Sequence, residues 1–399
     1  MVWVEVAIAM SALGVLAYWR YTPVPPEGIS DRESRKGKLR MKKILVDLAS
    51  VLEFLDVTTV VQFLRASLKY MSPPTMAVPE SLLKVSETTF DGVKVMVLEP
   101  LSAQRQSAVP GLVYYHGGGF CSGTTAGCFP ITSHLALELG IVVIVVDYRL
   151  APEHKFPAGL NDCVTATKYF LRHARRYNVD PFRIGIAGDS AGGNFAAVVA
   201  LKLAREKQEP ALKLQVLLNP VTQLLMFTAS AYKYGPSEVR SIWQAYFTSV
   251  YLYGNRSKVN LVHADLNPAK LEGTHYLNFV DPSLVDSTIP PLPPGRRVRR
   301  EDVAAGEEEL EMVLNPDVSP LLAEEDDMKD LPPTFISAME FDVFRDDAIF
   351  YAKRLEKAGV EVKMLHYKNG YHGQIGDFKW SETARGMMGD VLFYLKENL

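Results

Sequence analysis

The sequence predicts an α/β protein in which helices cover both faces of a mostly parallel sheet. Short apolar runs, each long enough for one strand, alternate along the chain with segments of helical period. Strands that are apolar throughout are typical of a sheet buried on both faces. The chain has 399 residues, of which 48% are hydrophobic and 22% charged. This is the composition of a globular protein with a large core.

Seven apolar runs indicate strands, at residues 93–98, 111–115, 141–148, 183–187, 212–218, 334–339 and 362–367. Four amphipathic patterns indicate helices, at residues 161–177, 191–205, 347–358 and 383–397. Lys and Arg number 43 against 46 Asp and Glu, so the charge balance does not indicate a nucleic-acid-binding face. The three cysteines, Cys121, Cys128 and Cys163, can form neither a disulfide framework nor a zinc finger.

The N-terminal segment, residues 2–19, is apolar except for Glu5 and predicts one membrane-spanning helix. Its 18 residues would extend about 27 Å as a helix, enough for one crossing. Aromatic residues lie near both ends, among them Trp3 and Trp19, as at a bilayer interface. A cleaved signal peptide is the alternative, although no small-x-small cleavage site follows the apolar run.

A basic run follows the apolar segment, with seven Lys or Arg among the thirteen residues 31–43. The positive-inside rule would keep this run, and the body of the protein with it, in the cytoplasm. Two interpretations of the run remain open. It binds anionic lipid headgroups, or it is a solvated linker.

Apolar residues at helical spacing between residues 42 and 69 predict one or two amphipathic helices, which Ser72-Pro73-Pro74 ends. Residues 222–330 later break the rhythm of strands and helices, as an inserted lid or cap does. Within this insertion, residues 291–309 are expected to be a disordered loop. We therefore divide the chain into an anchor at 1–21, a basic linker with cap helices at 22–80, and a main domain at 81–399.

Gly188-Asp-Ser-Ala-Gly192 is a G-x-S-x-G motif between a predicted strand and a predicted helix. In this context the motif indicates a nucleophile elbow, a turn so tight that its flanking positions accept little but glycine. Ser190 would then lie at the N-terminus of the following helix, where the helix dipole favours developing negative charge. Ser190 is the candidate nucleophile.

His116-Gly-Gly-Gly119 follows a predicted strand and lies 74 residues before Ser190, as an oxyanion loop should. Glycines let backbone amides approach the oxygen that becomes negative in acyl transfer. We expect Gly117 and Gly118 to donate to this oxygen, with Ala191 as a third donor. His116 heads the motif and is expected to be structural. The sequence fits neither a P-loop nor a dinucleotide fingerprint, and a glycine turn without a ligand is the alternative.

A serine nucleophile needs a histidine base and an acid that orients the base. His372 follows the last predicted strand and precedes the last helix, where the chain order Ser, acid, His places the base. Asp342 ends the preceding strand and is the candidate acid. Three neighbouring acidic residues compete with it for this role: Glu340, Asp346 and Asp347.

These motifs resemble those of the hormone-sensitive-lipase-like serine hydrolases of the α/β-hydrolase fold. The resemblance is carried by His116-Gly-Gly-Gly, Asp147-Tyr-Arg-Leu-Ala-Pro-Glu, Phe156-Pro-Ala, Gly188-Asp-Ser-Ala-Gly-Gly-Asn, Asp342 and His372. Within that group the chain resembles arylacetamide deacetylase and the neutral cholesterol ester hydrolases, through Tyr21-Thr-Pro, Phe341-Asp-Val-Phe-Arg-Asp-Asp and Tyr351-Ala-Lys-Arg-Leu.

The resemblance implies the α/β-hydrolase fold with a helical cap, and hydrolysis of hydrophobic esters or arylacetamides without a cofactor. It also implies a type II protein of the endoplasmic reticulum membrane with a lumenal catalytic body, and residues 148–153 as scaffold. This topology conflicts with the basic run, and we follow the resemblance. Asn255-Arg-Ser257 is then a sequon that the lumenal glycosylation machinery can reach.

Three alternatives remain open at this stage. The aromatic stretch 242–253 is expected to place Trp243, Tyr246, Phe247 and Val250 along the acyl pocket or its membrane-facing mouth, or else in the core. The insertion at 255–311 leaves ester, arylacetamide and lipid substrates undistinguished. A ligand-binding protein that has lost catalysis is the rival to the enzyme, although the complete set Ser190, Asp342 and His372 argues against it.

Overall fold

The centre of the molecule is an eight-stranded sheet in the order β1-β2-β4-β3-β5-β6-β7-β8. The computed structural model describes residues 25–71, 78–103, 108–224, 230, 241–259, 274–285 and 307–399. The strands are β1 (Leu83–Phe90), β2 (Val93–Pro100), β3 (Val109–Tyr115), β4 (Val142–Val146), β5 (Val179–Asp189), β6 (Leu214–Leu218), β7 (Thr334–Phe341) and β8 (Val362–Tyr371). β2 is antiparallel to both β1 and β4, and every other neighbouring pair is parallel. The mostly parallel sheet expected from the sequence is confirmed.

The helices of the described ranges occur between and beyond these strands. They are α1 (Arg32–Phe54), α2 (Val60–Met71), α3 (Thr125–Leu139), α4 (Ala158–His173), α5 (Ala191–Arg205), α6 (Ser241–Tyr253), α7 (Glu307–Leu314), α8 (Glu325–Met328), α9 (Arg345–Lys357) and α10 (Glu382–Asn398). Short 3-10 turns add Ala174–Tyr177, His275–Val280, Pro282–Leu284, Pro320–Leu322 and Gln374–Asp377. The helix α7 includes residues 307–309, so the expected disordered loop at 291–309 is wrong at its C-terminal end.

Two hydrophobic cores lie on opposite faces of the sheet. Helices α4, α5 and α9 cover one face, and α3 and α10 cover the other. Neighbouring strand residues point to opposite cores. Tyr115 packs in the core beneath α4, α5 and α9, and Tyr114 packs in the core beneath α3 and α10. Strand β1 and helix α3 were not expected from the sequence. The parallel strands of this layered body end at one edge, where loops can bring distant residues together.

Polar contacts hold helices α1 and α2 against the body. The backbone N–H and the hydroxyl of Ser30, just before α1, both donate to the Asn369 carbonyl oxygen at 3.0 Å. In α2, the guanidinium of Arg65 donates to the carbonyl oxygens of Cys121 at 2.6 Å and Ala151 at 2.5 Å. These contacts fix both helices beside the C-terminal end of β8 and the loops that follow β3 and β4.

No helix within the described ranges is both long enough and apolar enough to cross a membrane. The expected membrane-spanning segment at residues 2–19 lies outside the described residues. The three cysteines, Cys121, Cys128 and Cys163, are buried as free thiols. Burial raises the pKa of each of these thiols.

Candidate active site

Ser190 lies at the sharp turn between strand β5 and helix α5, with a φ of 55° and a ψ of −118°. Its glycine neighbours are sterically required. A Cβ on Gly188 would lie 2.2 Å from the carbonyl oxygen of Gly192, and a Cβ on Gly192 would lie 2.0 Å from that of Tyr115. The turn therefore lifts the Ser190 side chain off the end of the sheet, in the geometry of a nucleophile elbow.

A continuous chain of hydrogen bonds joins Ser190, His372 and Asp342. His372 Nε2 lies 2.8 Å from Ser190 Oγ, and His372 Nδ1 lies 2.8 Å from Asp342 Oδ2. Asp342 is buried, and its other oxygen accepts a hydrogen bond from the Phe344 amide at 2.9 Å. Because the carboxylate favours a proton on Nδ1, Nε2 is left free to accept the proton of the serine hydroxyl.

The three competing acidic residues have other partners. Glu340 and Asp346 both accept hydrogen bonds from the buried guanidinium of Arg345, at 3.1 and 2.9 Å. Asp347 accepts from the side-chain amide of Gln223 at 2.9 Å. The structure thus brings Asp342 to the histidine, while its neighbours form a buried polar cluster beneath the same turn.

The glycines after β3 form a tight loop whose backbone conformation favours glycine. Gly118 and Gly119 have φ angles of 135° and 61°. A Cβ on Gly118 would lie 2.1 Å from the Ser122 carbonyl oxygen, so a side chain is excluded there. Among the described residues, the amides of Gly118, Gly119 and Ala191 have no hydrogen-bond partner. Three N–H groups are therefore available to a ligand at this point.

The expected role of Gly117 as an oxyanion donor is wrong. Its amide donates to Asp189 Oδ1 at 3.0 Å and is therefore engaged. A Cβ on this glycine would lie 2.3 Å from Asp189 Oδ2, which shows how closely the carboxylate approaches the loop. Gly119, expected only as part of the motif, carries the available amide instead.

Asp189 was not foreseen as a site residue, although it lies beside Ser190 in the motif. Its Oδ1 also accepts a hydrogen bond from the Tyr114 hydroxyl at 2.8 Å. Burial raises the pKa of its carboxyl group, while these hydrogen bonds act in the opposite direction. The sequence signal for this role was the acidic residue at the second position of G-x-S-x-G. A side chain at that position faces the loop that packs beside the elbow.

His116 is buried and contacts the glycine loop. Its Nδ1 lies 2.9 Å from the Gly117 carbonyl oxygen, and its ring stacks on Tyr148 with centroids 4.3 Å apart. The Tyr148 hydroxyl donates to the His116 carbonyl oxygen at 2.6 Å. Burial lowers the pKa of this imidazole and so favours its neutral form. These contacts agree with the structural role expected for the residue.

Comparison with known families identifies the class of protein. A family model described as α/β-hydrolase fold matches residues 112–285 and 301–375. The chain belongs to the α/β-hydrolase family. The first matched segment contains the His116–Gly119 loop and the elbow at Ser190, and the second contains Asp342 and His372.

Curated relatives of this α/β-hydrolase are esterases and deacetylases. The chain is 35% identical to neutral cholesterol ester hydrolase 1 of Rattus norvegicus over 309 residues, which are 73% of this chain and 74% of the relative. It is 31% identical to arylacetamide deacetylase of Mus musculus over 406 residues, 96% of this chain and 97% of the relative. The resemblance to this group expected from the sequence is confirmed.

Solved structures of esterases share the fold. A thermostable esterase from Pseudomonas putida matches with a TM-score of 0.65 and 25% identity, covering 85% of this chain and 90% of the esterase. A Pyrobaculum calidifontis esterase matches with a TM-score of 0.63 and 26% identity, covering 88% and 97%. With the relatives and the fold taken together, this α/β-hydrolase is a serine ester hydrolase.

Helix α6 carries the four residues expected to line the acyl pocket, and these residues have different surroundings. Phe247 packs over the glycine loop, since a Cβ on Gly119 would meet its ring at 3.3 Å. Val250 is buried in the main core of the hydrolase, which agrees with the alternative placement in the core. The Tyr246 hydroxyl donates to Glu53 of α1 at 2.7 Å. The side chain of Trp243 lies outside the described residues.

The sequon of the hydrolase lies in an exposed turn after α6. Asn255 is exposed, and its side-chain oxygen accepts a hydrogen bond from the Ser257 amide at 2.8 Å. Among the described residues of the hydrolase, no group of three or more His, Cys, Asp and Glu side chains could hold a metal ion. The polar groups that converge on Ser190 are those of the elbow, the glycine loop and the Asp342–His372 pair.

Proposed function

We propose that the chain is a membrane-anchored serine hydrolase that cleaves hydrophobic carboxylic esters or arylacetamides through an acyl-enzyme intermediate. The observation that carries the proposal is the hydrogen-bond chain of 2.8 Å from Ser190 to His372 and 2.8 Å on to Asp342. A neutral serine becomes nucleophilic only when a base can take its proton as it attacks. His372 is that base, and its hydrogen bond to Asp342 fixes its tautomer.

In the first half of the reaction, Ser190 Oγ attacks the acyl carbon and His372 Nε2 takes the hydroxyl proton. The amides of Gly118, Gly119 and Ala191 donate to the oxygen that becomes negative. Collapse of the tetrahedral intermediate breaks the bond to the alcohol or amine, which receives the proton from His372. The acyl group remains on Ser190.

In the second half, water replaces the leaving group. His372 takes a proton from water, and the resulting hydroxide attacks the acyl-enzyme carbonyl. The same three amides hold the oxyanion. Collapse releases the carboxylic acid and returns the proton to Ser190. Asp342 stays ionised and stabilises the imidazolium that forms in each half.

A fluorophosphonate probe tests the nucleophile, because it reacts with an activated serine. Wild-type protein should be labelled, and Ser190→Ala should not. Asp342→Asn should fold but lose about 10⁴-fold in kcat, because His372 is then held in the wrong tautomer. Folded wild-type protein that resists the probe and has no esterase activity would support a ligand-binding protein instead.

A turnover panel distinguishes the substrate classes. The relatives named as a cholesterol ester hydrolase and an arylacetamide deacetylase support hydrophobic esters and amides. The panel should contain short and long p-nitrophenyl esters, a cholesteryl ester, an arylacetamide and long-chain glycerides. We expect kcat/KM to be higher for the hydrophobic members than for the short ester. A preference confined to short, water-soluble esters would contradict the proposal.

The proposed location is the endoplasmic reticulum membrane, with a type II anchor at residues 2–19 and a lumenal body. The exposed sequon at Asn255 reports on this topology. Expressed in eukaryotic cells, wild-type chain should lose the mass of one glycan on endoglycosidase treatment, and both Asn255→Gln and Ser257→Ala should abolish the shift. The chain should also remain with membranes through a carbonate wash. An unglycosylated wild type whose body is protease-sensitive in intact microsomes would place the body in the cytoplasm.

A further inference from the structure

Helix α1 has two apolar faces on opposite sides. Its inner face buries Leu39, Val46 and Ala49 against the body. Its outer face, together with the C-terminal cap residue Leu55, carries five large apolar residues that are 40–61% exposed, here called the outer stripe: Met41, Ile44, Leu48, Val51 and Leu55. At 3.6 residues per turn these five positions fall within an arc of about 80°, opposite the buried positions.

The outer stripe is the main concentration of exposed apolar side chains in the described part of the chain. Twelve large hydrophobic residues are exposed there, and seven of them lie between residues 41 and 57. Phe54, the last residue of α1, and Val57, three residues beyond it, extend this exposed apolar patch. Single exposed apolar residues are ordinary on a protein surface, but a contiguous patch marks an interaction site.

The position of α1 in the chain indicates what covers this stripe. Twelve residues separate Trp19, at the end of the proposed anchor, from the start of α1 at Arg32. A chain of that length reaches at most about 40 Å. The first turns of α1 are also cationic, with seven Lys or Arg and one Glu between Arg32 and Lys43. An apolar stripe beside a basic segment is typical of a helix lying in a bilayer interface.

Helix α1 is attached to both sides of the candidate site. Near its start, Arg35 stacks on the ring of Tyr371 at 4.1 Å, next to His372 in the chain, and Lys38 pairs with Asp377 at 2.6 Å. Near its end, Glu53 accepts hydrogen bonds from Tyr246 and from Arg256, at and just beyond α6. The orientation of α1 therefore fixes the orientation of the site.

We propose that the outer stripe of α1 lies in the lipid headgroup boundary of the membrane that holds the anchor. Hydrophobic substrate then passes from the bilayer to the lid helix α6 without crossing bulk water. The inference rests on the membrane anchoring proposed above, and adds a second, peripheral contact with the same bilayer. It commits to lipid as the occupant of the stripe.

Depth-dependent quenching tests the contact in the full chain. The three native cysteines are buried, so a fluorophore can be placed selectively on Val51→Cys. The labelled protein is reconstituted into phosphatidylcholine–phosphatidylserine vesicles with and without doxyl-labelled lipid. We expect a blue-shifted emission that doxyl lipid quenches at least twofold. Phe393→Cys on α10, whose native side chain is 68% exposed, is the matched control and should be unquenched.

A kinetic experiment tests the consequence for substrate supply. Leu48→Glu with Val51→Glu places charge on the outer stripe without touching the inner face. Hydrolysis of a long-chain ester dissolved in the vesicles should fall at least fivefold, while turnover of a short water-soluble ester should stay within twofold of wild type. Equal loss on both esters would overturn the proposal, because the stripe would then serve the fold.

The outcomes separate this inference from the anchor on which it rests. A chain that withstands a carbonate wash but shows no quenching at residue 51 keeps the anchor and overturns the inference. Cross-linking of Val51→Cys between two chains, without quenching, would show that a second copy covers the stripe and would also overturn it. A chain lost from the vesicles in the wash overturns both proposals.

Discussion

The carboxylate of Asp189 accepts a hydrogen bond from the amide of Gly117 at 3.0 Å, between residues 72 positions apart in the chain. This bond joins the residue before the nucleophile to the first glycine of the oxyanion loop. The distance from Ser190 to the amides of Gly118 and Gly119 is therefore set by a side chain that touches neither substrate nor base. Asp189 acts as a positioning residue.

Asp189→Asn should lower kcat by about tenfold or more and change KM less. A neutral acceptor replaces a charged one, and hydrogen bonds to charged groups contribute about 1.5–3 kcal/mol. A loosened loop weakens the contact with the oxyanion, which exists only in the transition state. Steady-state kinetics on a short ester measure the effect. Tyr114→Phe, which leaves the carboxylate in place, is the control and should lose less. A fully active Asp189→Asn enzyme would contradict the positioning role.

Alanine at Gly118 should lower kcat by about 100-fold or more, because the Ser122 carbonyl oxygen lies 2.1 Å from the added Cβ. Backbone must move to admit it, and the donor amides move with the loop. Gly119→Ala should lose less, since its Cβ would meet the Phe247 ring at 3.3 Å and a side chain can yield. Both φ angles are positive, so both variants should also lose some stability, and kcat is measured at a temperature where circular dichroism shows each variant folded. The opposite order of activities would refute this description of the loop.

Phe247→Ala should change the chain-length preference of the enzyme. The ring packs over Gly119, so its removal opens space beside the acyl carbon. We expect the ratio of kcat/KM for a long ester to that for a short ester to change at least threefold. Val250→Ala, in the core below, should instead destabilise the protein by roughly 0.5–2 kcal/mol and leave the ratio unchanged. Equal ratios in the two variants would exclude a role for Phe247 in acyl selection.

Stability should fall between pH 7 and pH 5, partly because burial disfavours the charged form of His116 in the folded state. Burial lowers the pKa of its imidazole, whereas the unfolded chain takes up a proton near pH 6.5. Below that pH the unfolded state binds more protons, so the contribution is present above the unfolded pKa and is lost below it. Thermal unfolding at pH 7, 6 and 5 measures the slope.

His116→Gln is the matched variant for this slope and should show a smaller fall in melting temperature over the same range. His134 keeps part of the slope in the variant, because burial also lowers the pKa of that imidazole. His116→Gln will be less stable at every pH, since it loses the contacts to Tyr148. The comparison therefore concerns the slope alone, and identical slopes would show that His116 does not titrate on unfolding.

The sequence predicted the sheet because strands buried on both faces leave continuous apolar runs, as at β3 and β4. Strand β1 escaped prediction because it is an edge strand, in which Leu83 and Phe90 are buried and the residues between them are mostly polar and exposed. Helix α3 escaped because it is buried on most sides and contains Pro130, so no amphipathic period marks it.

The triad candidates were accessible from sequence because chain order and flanking elements restrict each one to a strand end. The oxyanion donors were less accessible. The motif shows that glycines are needed after β3, but not which amide faces the substrate. That choice depends on Asp189, whose proximity to Gly117 arises only when β3 and β5 pair. The contact of Glu53 with helix α6 likewise depends on tertiary packing between distant segments.

The φ of 55° at Ser190 means that the backbone conformation needed for catalysis lowers the stability of the fold. A residue with a Cβ in such a conformation costs about 1–3 kcal/mol, and glycine would remove much of that strain. Ser190→Gly should therefore be inactive yet melt no lower than wild type. Replacement of Ser190 by glycine during evolution would therefore remove turnover without lowering the stability of the fold. A lineage released from selection for hydrolysis could keep the folded scaffold indefinitely as a binding protein, and only continued selection preserves the serine.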